Sequence, residues 1–192
     1  MRTILITGFG PFPGAPVNPT ERLVAALART RLPQTKILTH AFRTNYANVD
    51  RELPQLLRRH RPDVLLMFGL AAATPYLRIE TQARNVLSPL PDAAGIVAAA
   101  RTIAPGRAVA LPLITPARTL RAAARRARVP AAISSDAGDY LCNYLCWRAA
   151  VAGRDPRGPR LVAFIHVPEG LPARDLARAG RAFLLAVAGA RL

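Results

Sequence analysis

The sequence predicts a single α/β domain with a mostly parallel sheet and helices on both of its faces. Strand-like and helix-like segments alternate along the chain. The central strand-like segments are apolar at every position rather than at every second one, which is typical of strands buried on both faces. The chain has 192 residues, of which 51% are hydrophobic, enough for one packed core. No repeat or linker interrupts it, so the domain is expected to span residues 1–192.

The first half of the chain alternates strand, helix, strand, helix and strand. Residues 3–6 form a short buried run, and Asn18-Pro19 then supplies a helix cap followed by proline at the first helical position. A second strand is predicted at 36–42. Residues 46–59 carry apolar side chains at helical spacing. The apolar run 64–68, stopped by a glycine, predicts a central parallel strand.

The second half is less regular before it returns to the same alternation. Residues 76–83 alternate apolar and polar side chains and predict a strand, whereas 85–95 is rich in proline and glycine and predicts a loop. The remaining elements are predicted as strands at 108–113, 129–134 and 160–167 and as helices at 115–128, 140–151 and 171–187.

Charge and composition exclude several classes of protein. The net charge is +16, but the basic residues are almost all arginine, with Lys36 the single lysine, as a GC-rich coding sequence would give. The densest arginine group, at 118–128, lies in a predicted helix, where a solvated face is the preferred interpretation. Nonspecific nucleic-acid binding is kept as an alternative hypothesis. Sequence-specific binding of nucleic acid is not expected, because no motif that reads RNA or DNA is present.

Segments typical of membrane or secreted proteins are also missing from the sequence. No apolar run reaches the roughly 18 residues of a membrane span, and two cysteines cannot form a disulfide scaffold. The N-terminus begins directly with a strand rather than a leader. We therefore expect a soluble cytoplasmic protein.

Active sites of such folds form beyond the carboxyl ends of the strands, which directs attention to residues 8–18, 69–85, 134–143 and 166–169. Cys142 lies in the first turn of a predicted helix, where the dipole favours a thiolate. The alternative is an ordinary core cysteine, which we expect Cys146 to be. Their spacing fits neither a zinc knuckle nor a redox pair, so no metal site is expected.

Two further side chains are candidates for acid–base chemistry. His166 ends a predicted strand, where a general base is expected, although a histidine bonded to the backbone is the alternative. Glu80 could orient that histidine as the third member of a Cys–His–acid arrangement. Alone, it would more often be an exposed charge paired with Arg78 or Arg84.

The loop after the first strand carries two aromatic side chains. Phe9 and Phe12 flank Gly10-Pro11 and could form a flat slot for a small planar ring, or simply cover the edge of the core. The loop has glycines but not the pattern of a phosphate-binding loop, so a nucleotide cofactor is weakly supported.

Four segments together resemble the pyroglutamyl peptidase I family of cysteine peptidases, in order and spacing. They are Ile6–Phe12 with Val17–Glu21, Arg61–Gly69, Asp136–Leu145 and Phe164–Pro168. The resemblance implies a three-layer α/β/α sandwich with a mostly parallel, partly mixed sheet. It implies removal of N-terminal pyroglutamate from peptides in the cytoplasm, without a cofactor, by a homodimer or homotetramer.

The resemblance also implies the roles of six residues. Cys142 would be the nucleophile, His166 its base and Glu80 the acid. The substrate-binding residues would be Phe9 and Phe12, which sandwich the pyroglutamyl ring, together with Asn18.

Two departures from the family pattern lie beside these residues. The family loop that contains Gly-Arg is here Ala71–Pro75, and a family arginine is missing near Leu90, where Arg84 is the nearest basic residue. We therefore predict slow cleavage, with Arg84 as a partial replacement. The alternative is a non-catalytic or altered-specificity ligand-binding protein on the same scaffold.

Overall fold

Strands and helices alternate in the computed structural model, which describes residues 1–191. Most elements lie within a few residues of their predicted positions. In chain order they are β1 Arg2–Phe9, α1 Pro19–Leu27, β2 Thr35–Phe42, α2 Tyr46–His60, β3 Val64–Leu70, β4 Leu77–Glu80, β5 Gln82–Arg84, β6 Ala110–Pro112, α3 Ala117–Arg126, β7 Ala131–Ser134, α4 Leu141–Ala152, β8 Leu161–Val167 and α5 Ala173–Ala188.

The main sheet has the strand order β2-β1-β3-β8-β4-β7 in the described part of the chain. Strands β2, β1, β3 and β8 are parallel, with β3 and β8 in the centre. Strand β4 runs antiparallel to β8, and β7 runs parallel to β4. The expected mostly parallel, partly mixed sheet is therefore confirmed.

The central strands bury side chains on both faces, which is why they are apolar throughout. Ile4 and Leu66 point into one core, which is completed by helices α1, α3 and α5. Leu5 and Leu65 point into a second core, completed by α2 and α4. The result is the three-layer α/β/α arrangement that the resemblance implied.

The strand predicted at 76–83 is wrong as a single element. It is divided at Thr81 into β4, which belongs to the main sheet, and β5, which pairs with β6 in a separate antiparallel ribbon. Thr81 N–H donates to Ser134 of the main sheet, while its carbonyl accepts from Leu113, which follows β6. The alternation of side chains continues through Thr81, so no local pattern marks the residue at which the backbone changes strand partners.

Within residues 1–191, none of the helices has both the length and the hydropathy that crossing a membrane requires.

Candidate active site

A cavity of about 250 Å³ lies where the carboxyl ends of β1, β3 and β8 meet the first turn of α4. Each of the four segments selected from the sequence contributes to its wall, and the loop after β2 adds a fifth. The lining residues are Phe9, Phe12, Asn18, Thr44, Leu70, Ala71, Arg78, Asp136, Ala137, Gly138, Asp139, Tyr140, Leu141, Cys142 and His166.

Cys142 is the second residue of α4, and its side chain is partly exposed to this cavity. The residue at the N-cap, Tyr140, makes no side-chain capping bond. The first N–H groups of a helix have no partner within it, so those of this turn are free to bind another acceptor. The preceding loop turns at Gly138, which has a φ of +81° that favours glycine. The Asp136 carboxylate accepts from the Gly138 N–H at 3.0 Å and fixes that turn.

A glycine in β3 lets the thiol approach the sheet. A Cβ on Gly69 would lie 2.6 Å from Cys142 Sγ and 2.6 Å from Phe164 Cζ, closer than real side chains come. Gly69 is the strand partner of His166. The sulfur therefore lies over the backbone beside the histidine, in space that any larger residue at position 69 would fill.

His166 and Glu80 form a buried pair on neighbouring strands. The Nδ1 atom of His166 is 2.8 Å from Oε1 of Glu80, and the two residues are 4% and 0% exposed. The same oxygen accepts from Arg78 Nε at 3.1 Å, and Arg78 Nη2 lies 3.0 Å from it as an ion pair. Arg78 faces His166 across the β4–β8 pairing and also donates to the Asp136 carbonyl. The second carboxylate oxygen, Oε2, is buried without a protein partner among the described residues.

Burial makes the thiols of α4 weakly acidic. It raises the pKa of the Cys142 thiol to about 12, an increase to which the charge of Glu80 adds and which the charge of Arg78 opposes. Burial also raises the pKa of Cys146, which lies in the second core as expected. In the resting site the sulfur therefore carries a proton, and a neighbouring base has to remove it for the sulfur to act as a nucleophile.

Asn143 anchors the helix that carries Cys142. It is fully buried, its amide nitrogen donates to the carbonyls of Arg84 and Val86, and its amide oxygen accepts from the Arg84 N–H at 2.8 Å. Three bonds thus tie the first turn of α4 to β5 and its following residues. The sequence drew attention to this residue only through its place in the Asp136–Leu145 segment.

The aromatic wall is shaped by the loop after β1. Phe9 packs on Phe42 with ring centroids 6.0 Å apart, and Phe12 lies 6.3 Å from Tyr140. Asn18 caps α1 by accepting from the Thr20 N–H, and its amide nitrogen donates to the carbonyl of Gly10, between the two phenylalanines. Its polar atoms therefore hold the loop that presents both rings.

The comparisons with known proteins agree across nearly the whole chain. The family model described as pyroglutamyl peptidase matches residues 2–181. The pyrrolidone-carboxylate peptidase of Thermococcus kodakarensis is 31% identical over 170 residues, covering 86% of this chain and 80% of the relative. The pyrrolidone-carboxylate peptidase 1 of Ralstonia nicotianae is 33% identical over 186 residues, covering 94% of this chain and 84% of the relative.

Solved structures agree as well. The pyrrolidone carboxyl peptidase of Thermococcus litoralis superposes with a TM-score of 0.88 at 28% identity, covering 98% of this chain and 92% of that one. A mutant pyrrolidone carboxyl peptidase from Pyrococcus furiosus gives a TM-score of 0.89 at 25% identity, and the match covers 96% of this chain and 97% of that one. The chain belongs to the pyroglutamyl peptidase family. The identification made from four short segments is therefore confirmed.

Within this pyroglutamyl peptidase, the altered segments lie in two different places. Ala71 lines the cavity, whereas Leu90 is 62% exposed and lies outside its lining. Arg84, the residue expected to replace the missing arginine, binds the Gly138 carbonyl and the Asp136 carboxylate and does not line the cavity either. The cation that does line it is Arg78, which the sequence had suggested only as a surface partner of Glu80.

Three other lining residues of this peptidase were not singled out from the sequence. Thr44 donates to the carbonyl of Gly10 at 3.0 Å and comes from a loop that carries no recognisable signal. Tyr140 and Leu141 lie within the Asp136–Leu145 segment, directly before Cys142, and only the cysteine of that segment had drawn attention. Among residues 1–191, no group of three or more His, Cys, Asp or Glu side chains is arranged to hold a metal ion.

Buried thiols and phenols predict that the pyroglutamyl peptidase loses stability in alkali. Burial raises the pKa of Tyr46 to about 12 and also raises the pKa of Tyr144, in addition to the two cysteines. The unfolded chain releases these protons from about pH 9, so above that pH the folded state binds more protons. The free energy of unfolding should therefore fall between pH 9 and 12, measured by urea titration at several pH values. A curve that stays flat over this range, or a Cys146→Ser variant with the same slope as the parent, would contradict the prediction.

Proposed function

We propose that this member of the pyroglutamyl peptidase family is a cysteine peptidase that removes N-terminal pyroglutamate from peptides. The observation that carries the proposal is the meeting of Cys142 and His166 at one cavity whose wall also holds Phe9 and Phe12, with the buried Glu80 bonded to His166 behind that wall. A thiol beside a histidine that is itself bonded to a buried acid supplies the components of nucleophilic acyl transfer.

In the proposed reaction, Cys142 Sγ attacks the carbonyl carbon of the pyroglutamyl residue. Glu80 accepts a hydrogen bond from the N–H at Nδ1 of His166 and so holds that proton on Nδ1, which leaves Nε2 as the atom that takes the thiol proton. The carbonyl oxygen becomes an oxyanion, and the free N–H groups in the first turn of α4 stabilise it. His166 then protonates the leaving amine, and a thioester remains on Cys142. Water, deprotonated by His166, hydrolyses the thioester and releases pyroglutamate.

Recognition of the substrate rests on shape and a few polar contacts. The pyroglutamyl ring is a small neutral lactam, so flat apolar faces suit it better than charged side chains. Phe9 and Phe12 supply such faces, and Asn18 acts through the loop that it holds. Because the ring has no free amino group, peptides with an ordinary charged N-terminus should be excluded by the cost of burying that charge.

The direct test is hydrolysis of a pyroglutamyl fluorogenic amide by the purified protein, with a prolyl amide as the control. Both substrates have a five-membered ring, but the prolyl compound lacks the lactam carbonyl and carries a positive charge. We expect slow but measurable release from the pyroglutamyl amide alone, and its loss after treatment with iodoacetamide. Binding of free pyroglutamate without any hydrolysis would favour the alternative of a non-catalytic ligand-binding protein.

The expected cytoplasmic location and the homodimer or homotetramer remain predictions. Light scattering coupled to size-exclusion chromatography measures the oligomeric state directly. Cell fractionation tests the location.

The arginine-rich surface of α3 predicts weak, nonspecific binding to polyanions. Arg118, Arg121, Arg125 and Arg128 line a cleft of about 500 Å³, and among the described residues none of them forms an ion pair. Such contacts release counterions, so binding to heparin or DNA should be lost by about 0.2 M salt. An Arg121→Glu variant should elute earlier from heparin, whereas tight, salt-resistant and sequence-selective binding would contradict the prediction.

A further inference from the structure

The charged groups beneath the thiol are arranged around one oxygen atom. Oε1 of Glu80 accepts hydrogen bonds from His166 Nδ1 and Arg78 Nε, and Arg78 Nη2 lies 3.0 Å from the same oxygen as an ion pair. Glu80 is completely buried and Arg78 is mostly buried, so water screens this cluster poorly. A carboxylate in such a place has opposite effects on its two neighbours. It accepts the hydrogen bond that orients His166, but its charge opposes a negative charge on Cys142.

Arg78 opposes the second effect without removing the first. Its guanidinium is hydrogen-bonded to the carboxylate, which leaves the bond from Glu80 to His166 intact while cancelling the net charge of the pair. The charge of Arg78 also lowers the pKa of the Cys142 thiol, whereas that of Glu80 raises it. The other titratable groups around the thiol are Asp139, Tyr140 and Cys146, none of which is positively charged, while Asp136 is bound to Arg84.

We propose that Arg78 is a positioning residue that balances the charge of Glu80, so that the carboxylate orients His166 without opposing a thiolate at Cys142. This inference rests on the proposed function for the roles of Cys142 and His166. Arg78 also bridges β4 to the loop before α4, through the carbonyl of Asp136. The same side chain therefore connects the strand that carries the acid to the loop that leads to the nucleophile.

The test measures the reactivity of Cys142 directly, so it does not depend on turnover. The second-order rate of alkylation by iodoacetamide is followed at pH 8 by mass spectrometry of the peptide that contains Cys142. Below its pKa, the thiolate fraction of a cysteine changes tenfold for each unit of pKa. We expect Arg78→Gln to slow alkylation by about tenfold. Arg78→Lys, which keeps the charge, should stay within about threefold of the parent.

Two further variants separate charge balance from a structural role. Arg84→Gln removes the same charge from a side chain that also binds the loop at residues 136–138 but does not touch Glu80, and it should react like the parent. The double variant Arg78→Gln/Glu80→Gln removes both charges and should recover the alkylation rate lost in Arg78→Gln. It also leaves no uncompensated buried charge, so it tests the proposal even where the single variant does not fold.

Three results would overturn the inference. They are an unchanged alkylation rate in Arg78→Gln, an equal loss in Arg84→Gln or Arg78→Lys, and a double variant as slow as the single one. Failure of the proposed function has a different signature, because the parent protein would then leave the pyroglutamyl amide intact whatever the alkylation rates are.

Discussion

Cys142→Ser should lower kcat for a pyroglutamyl amide by about 10³-fold or more, with the fold unchanged. The hydroxyl of serine is far less acidic than a thiol and is a weaker nucleophile, and removal of a nucleophile from such a triad costs at least this much. Cys142 is partly exposed and the substitution is nearly isosteric, so the free energy of unfolding should stay within about 1 kcal/mol of the parent. Initial rates with the fluorogenic substrate and urea titration measure the two quantities.

The matched control for this variant is Cys146→Ser, one helical turn further along α4. Cys146 is fully buried in the second core and does not line the cavity. Burial of its hydroxyl should cost about 1–3 kcal/mol in stability and leave kcat within a few-fold of the parent. If Cys146→Ser abolished turnover and Cys142→Ser did not, the nucleophile would be misassigned.

Gly69→Ala should lower kcat by about 100-fold through one added methyl group. The new Cβ would lie 2.6 Å from both Cys142 Sγ and Phe164 Cζ, so the sulfur or the ring beneath His166 has to move. A displacement of about 1 Å in a reacting group is enough for a loss of this size. The overpacked site should also lose about 1–3 kcal/mol of stability. Steady-state kinetics should place most of the loss in kcat rather than in KM.

Gly180→Ala tests whether this loss is specific to the site. A Cβ on Gly180 would lie 2.7 Å from Leu23 Cδ1, an equally close contact, but in the opposite core between α1 and α5. The end of a leucine side chain can move aside, so stability should fall slightly and kcat should be unchanged. Equal losses of kcat in both variants would mean that overpacking acts through the whole fold rather than through the position of Sγ.

Much of the fold could be predicted from the sequence because the central strands have an unusual pattern. Runs such as Val64–Phe68 are apolar throughout. This pattern is typical of a strand that helices cover on both faces. Cys142 and His166 could be selected because Cys142 lies in the first turn of a helix and His166 lies near the end of a strand, and the type of both elements was clear. The Asn18 cap of α1 is likewise a local signal, and the structure reproduces it.

What could not be predicted depends on pairing between distant parts of the chain. The reversal of β4 places Glu80 beside Phe164 and Arg78 beside His166, so both side chains reach the site from a strand that runs against its neighbour. The rule that sites form at the carboxyl ends of parallel strands does not cover that case. Arg84 was selected by its distance along the chain from Leu90, whereas the structure places Arg78, and not Arg84, in the lining of the cavity.

The register of β4 restricts how this chain can change length during evolution. Arg78 and Glu80 share the face toward the cavity, while Leu77 and Ile79 fill the first core on the other face. Inserting or deleting one residue within β4 would exchange the two sets, placing charge in the core and apolar groups at the site. Residues 86–109 contain no helix or strand in the described structure and can absorb length changes. Insertions and deletions among family members should therefore accumulate in that segment, while the spacing from Arg78 to Glu80 stays fixed.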